Sequence, residues 1–115
     1  MTTQEQIDAL ANRLRPALPT EDVDISFIVH AAQREFASSP VEIEDLVIAT
    51  VRALLESGEV VDAEMTAKGY VPRGVPPSET VQRIRSLWDE RGQPPTIADM
   101  IWLVSPEVMD LSGRS

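Results

Sequence analysis

Apolar residues recur along this chain at two different periods, and Pro and Gly separate the segments that carry them. Over residues 3–14, Ile7, Leu10, Ala11 and Leu14 fall on one face at helical spacing. Thr2 with Glu5 three residues later predicts a capping box, and Pro16 and Pro19 end the helix. A second helix is predicted over 24–37, capped by Asp22 or Asp24, with Ile25, Ile28, Val29, Ala32 and Phe36 as its stripe. Ser39, Pro40 and Glu42 open a third helix as N-cap, first helical residue and reciprocal partner. Its broad apolar face is Ile43, Leu46, Val47, Val51, Leu54 and Leu55, and Gly58 stands where a left-handed C-terminal residue belongs.

Beyond Gly58 the period shortens. Residues 59–65 suit a strand, 66–69 a turn with Gly69 at positive φ, and Tyr70-Val71 a second strand closed by Pro72 and Gly74. A fourth helix is predicted over 78–91, with Val81, Ile84, Leu87 and Trp88 buried and Gly92 ending it. After the stiff Gln93-Pro94-Pro95 connector, Thr96 and Asp99 form another capping pair that starts one short element over 97–104. The expected organisation is a single compact domain over 1–106 with a frayed tail over 107–115. The fold class is α+β and mostly helical: a helix–turn–helix plus β-hairpin with additional N- and C-terminal helices.

That element order over about residues 24–74 resembles a winged-helix domain. Separately, Trp88-Asp89-Glu90-Arg91-Gly92-Gln93-Pro94, followed by Asp99-Met100-Ile101-Trp102, resembles the C-terminal part of small uncharacterised actinobacterial proteins. The second resemblance implies a bacterial source and brings no activity with it.

Composition narrows the function. The 115 residues contain no cysteine, which removes disulfide scaffolds, thiolate metal sites and cysteine nucleophiles. The start of the chain is polar, without the basic and apolar regions of a secretory signal, and no apolar run approaches the ~20 residues of a membrane span. Cytoplasmic location and no membrane partner are the expectations. The net charge of −9 is spread along the chain, which repels phosphate backbones and favours a basic partner.

A DNA-reading winged helix would lead into the groove with Glu42, Glu44 and Asp45, which are the wrong residues for base edges and phosphates. The cations available to such a reader are Arg52 on the third helix, Lys68 and Arg73 on the wing, and Arg83 and Arg85 on the fourth helix. No enzyme is expected. Gly-x-Ser-x-Gly, His-Glu-x-x-His and phosphate-binding glycine loops are absent, and the single histidine, His30, reads as a core-edge residue. Asp62 and Glu64 share a strand face and Glu42 and Asp45 a helix face; solvated carboxylates explain both pairs better than Mg²⁺ does. Neither a metal nor another cofactor is expected. Trp88 and Trp102 are expected to pack together in the core.

The sequence therefore points to a non-enzymatic acidic protein-binding domain, with Glu42, Glu44, Asp45, Asp62 and Glu64 as its partner-binding candidates. Its balance of charge and size is like that of bacterial immunity or antitoxin proteins that neutralise a basic partner. A homodimer through the hairpin edge or the third helix is the other expected association. The alternative is a winged-helix transcriptional regulator, or a degenerate form of one.

Overall fold

A computed structural model describes residues 2–36 and 39–112. Helix α1 (Gln4–Leu14) is capped one residue later than expected. Thr3 Oγ1 accepts from the Gln6 backbone N–H at 3.2 Å, and Gln6 Oε1 accepts from the Thr3 N–H at 3.0 Å. Thr2–Glu5 and Thr3–Gln6 are overlapping versions of one signal, and a Gln side chain completes the box as well as Glu does. Leu10, Ala11 and Leu14 are buried, as their spacing requires.

Helix α2 (Ile25–Glu35) is capped by Asp24, whose carboxylate accepts from the Ser26 N–H and hydroxyl. Phe36 is already extended, so the helix ends before Ala37, which lies outside the described residues. Helix α3 (Pro40–Glu56) has the predicted Ser39 cap and Pro40 start. It packs against α1, α2 and a later helix, α4 (Pro77–Arg91). Its buried positions consequently run almost all the way round, from Ile43 and Glu44 through Ile48 and Thr50 to Leu54. Gly58 follows at φ 80°, and the Glu59 and Val60 N–H groups both return to the Leu54 carbonyl.

Strands β1 (Val61–Thr66) and β2 (Gly69–Pro72) form the predicted antiparallel hairpin, with Thr66 paired to Gly69 across the turn. The segment expected as one element over 97–104 divides in two. A short 3₁₀ turn, Ile97–Asp99, has the Thr96–Asp99 capping box; Met100 then turns through the left-handed region at φ 57° into strand β3 (Trp102–Val104). A short continuous apolar run fits a buried strand as well as a helical turn, and periodicity alone does not separate them. β3 pairs antiparallel with β1, giving the order β2-β1-β3. On its other side the Leu103 N–H bonds the Val23 carbonyl at 2.7 Å and the Ile25 N–H bonds the Ile101 carbonyl at 2.9 Å.

The sheet has a core on each face. Ile101 and Leu103 join the main core with α1 to α4 and Trp88. Trp102, Val104, Ala63 and Tyr70 form a second cluster with Val108. The two tryptophans therefore do not pack together: Trp102 packs instead against Tyr70, with ring centroids 5.6 Å apart and planes tilted by 56°. The second cluster is closed by helix α5 (Pro106–Ser112), where the first part of a frayed tail over 107–115 was expected; residues 113–115 lie outside the described residues. Ser105 Oγ accepts from the Val108 N–H at 3.2 Å, and Pro106 opens the helix. This is the Ser-Pro start already used at Ser39-Pro40.

The helix–turn–helix and hairpin are thus embedded in an α+β fold whose third strand comes from the C-terminal part of the chain. Leu54 is 1% exposed, so Leu54→Ala is expected to cost about 2–5 kcal/mol in urea unfolding. No heavy atom beyond its chain neighbours lies within 4 Å of a Cβ placed on Gly58, so its requirement is purely backbone. Gly58→Val is expected to lose roughly 1–2 kcal/mol or more in the same assay, and Gly58→Asn clearly less.

Candidate functional site

Five of the ten carboxylates and cations singled out from the sequence meet each other. Asp62 points from β1 toward the helical layer and is only 5% exposed. Thr80 Oγ1, in the first turn of α4, donates to one of its oxygens at 2.8 Å. Arg73 Nε forms an ion pair with the other at 3.3 Å, and the Arg73 N–H bonds the Asp62 carbonyl. Arg85 on α4 reaches α3, where its Nη1 donates to Glu44 and to Asp45, both at 3.0 Å. Asp62, Glu44 and Asp45 thus pair with Arg73 and Arg85, the first group being partner-binding candidates and the second nucleic-acid-binding candidates.

The others remain separate. Glu42 is exposed; its carboxylate accepts from the Ser39 hydroxyl, whereas the expected capping box would have it accept from the Ser39 N–H. Glu64 is exposed, in the outer half of β1. Arg52 lies on the narrow open strip of α3, in a groove it shares with Asp45, Glu56 and Arg85. Lys68 is at the hairpin turn, and Arg83 donates to the Asp99 carbonyl at 3.4 Å. Enclosure of α3 also leaves that helix little surface for a symmetric dimer, whereas β2 remains an open sheet edge ending at Pro72.

Glu44 sits where three charges compete. Burial pushes its carboxyl above the usual carboxylate range, the neighbouring Asp89 carboxyl adds to this, and Arg85 opposes both. The same arithmetic has the reverse outcome at Glu59, held below that range by Arg15, which grips it at 2.7 and 3.2 Å, and by the Ser57 hydroxyl. Asp99, despite burial, is lowered by the Thr96 N–H and by Arg91, 2.6 Å away. Tyr70 is raised, first by burial and then by its bond to Asp22 at 2.6 Å.

Sequence reasoning missed a surface on α2. Opposite its buried stripe, Phe27, His30, Ala31 and Arg34 recur at i, i+3, i+4 and i+7. With Arg13 and Leu14 of α1 they line a groove of about 320 Å³. Phe27 is 43% exposed, and His30 lies out on this face rather than at a core edge. The available signal was an aromatic residue that the buried stripe left unexplained. A neighbouring apolar groove lies over Trp88, between Phe36, Ile43 and Pro94.

Among the described residues, no group of three or more His, Asp or Glu side chains is arranged to hold a metal ion, and no helix is long and apolar enough to cross a membrane. No family model, curated protein or solved structure matches the chain.

Thr80→Val keeps the shape of the side chain and leaves a buried Asp62 oxygen without its donor, so a loss of about 1–3 kcal/mol is expected in urea unfolding. Glu44 carries the opposite expectation. Its folded value is raised, so its support for the fold is complete below the ordinary carboxylate range and is lost as pH rises through the raised value. Glu44→Gln retains an acceptor for Arg85 and offers Asp89 a donor. Thermal melts should show it at least as stable as the parent near neutral pH, by up to about 1 kcal/mol, with the difference closing below about pH 4.

Proposed function

We propose that this chain is a non-enzymatic protein-binding domain whose partner is basic. The observation that carries the reading is the pattern of ion pairing. Arg15, Arg73, Arg85 and Arg91 each tie one segment of this chain to another through a carboxylate. The described pairs engage six carboxylates, a minority of the nineteen in the sequence. Five of the ten Lys and Arg side chains are thus engaged in the described pairs, and the charge outside those pairs is predominantly negative. A field of that sign speeds encounter with a basic protein and disfavours nucleic acid. Of the candidate contacts, Glu42 and Glu64 suit this role best, because Glu44, Asp45 and Asp62 already hold arginines.

The alternative, a winged-helix regulator, is supported by the order of α2, α3 and the hairpin. Two features count against it: α4 lies along α3, and the open strip of α3 carries Glu42, Asp45 and Glu56 beside Arg52.

The test is a low-salt pull-down from bacterial cells, comparing the parent with Glu64→Lys. The parent is expected to retain a basic protein that Glu64→Lys holds less well and that about 1 M salt releases, where the screening length falls to about 3 Å. Retention of neutral or acidic proteins insensitive to salt would overturn the proposal, and enrichment of DNA of defined sequence would favour the regulator.

A further inference from the structure

We propose that the groove between α1 and α2 binds a small organic anion with an apolar body, of the aryl- or alkylcarboxylate class. The inference is independent of the basic-partner reading, because it concerns a groove whose lining charge, from Arg13 and Arg34, runs against that of the molecule. Arg15, Arg73, Arg85 and Arg91 each face a carboxylate of another segment. In this groove Arg13, Arg34 and His30 converge, and the carboxylate paired there is Glu35, 2.9 Å from Arg13. Arg34 is exposed and has no ion-pair partner among the described residues.

The walls specify the rest of the ligand. Ala31 is apolar and half-buried, Leu14 is fully buried beneath the groove, and Phe27 is 43% exposed. An apolar body laid against Phe27 gains by leaving water, and a planar guanidinium binds carboxylate oxygens two at a time. His30 is exposed and lines the same groove. The volume of about 320 Å³ suits a single-ring molecule and lies at the lower end of small-ligand sites. Bare phosphate would use the cations and leave the apolar walls idle. An uncharged arene would do the reverse.

Amide and methyl NMR titration with phenylacetate tests this, with inorganic phosphate and 2-phenylethanol as comparison probes. Phenylacetate is expected to give saturable shifts at Leu14, Phe27, Ala31 and Arg34. Neither comparison probe should reproduce them at equal concentration. Arg34→Gln should weaken binding about tenfold through loss of its charge-assisted bonds. Glu35→Gln, which releases Arg13 from its pair, should tighten it severalfold. The gain expected from Glu35→Gln keeps the test decisive even if Arg34→Gln perturbs folding. The proposal is overturned if the shifts fail to saturate or scatter over the surface, if phosphate or phenylethanol reproduces them, or if the affinity ignores Glu35→Gln.

Discussion

The fold depends on a four-residue run, Ile101 to Val104, lying between β1 and the chain just before α2. Its backbone bonds in both directions, to residues 61–63 on one side and to Val23 and Ile25 on the other. That insertion ties the C-terminal part of the chain to the N-terminal helices. It also fixes where α2 begins, since the Ile25 N–H that bonds Ile101 directly follows the Asp24 cap. Side-chain alternation then sends Ile101 and Leu103 into the helical core and Trp102 and Val104 to the opposite face. Two cores are the consequence. The outer one exists only because α5 covers Trp102 and Tyr70, and a sheet face bearing those rings would otherwise stand in water.

The same geometry organises the charges. Bringing α4 against α3 and β1 places Arg85 beside Glu44 and Asp45, and Thr80 beside Asp62. Each contact joins elements far apart in sequence, so a chain rich in carboxylates uses its scarce arginines as ties between segments. Glu44 shows the limit of that economy: buried and with Asp89 close by, its carboxyl stays above the usual carboxylate range despite Arg85. The α1–α2 groove differs because cations there outnumber the carboxylate they meet. The proposals for an acidic binding surface and for an organic-anion groove therefore draw on opposite outcomes of one distribution of charge.

The starts and stops of elements were legible in the sequence wherever a local group satisfies a local need. Ser39 with Pro40, Asp24 as a cap, Gly58 and Gly92 at positive φ, and the Thr96–Asp99 box all act within a few residues of themselves. The α1 cap was displaced by one residue because two adjacent Thr–Glu/Gln pairs satisfy the same rule. The start of α5 was equally available in Ser105-Pro106, yet a tail was expected, because a short helix carries too little periodic pattern to announce itself.

The sequence alone determined the helices α1 to α4, the hairpin, the buried stripes that hold the helices together, and the negative sign of the molecule's charge. These follow from backbone capping, side-chain period and composition, none of which requires knowing what lies across the core. Tertiary structure decided that 101–104 is a strand and that Trp102 leaves Trp88 for Tyr70. It also decided that Asp62 and Glu44 turn inward to arginines from other elements, and that Phe27, Arg34 and Arg13 share a groove. Each of those outcomes is a contact between segments distant in sequence, and spacing along a chain does not determine which distant side chain arrives opposite.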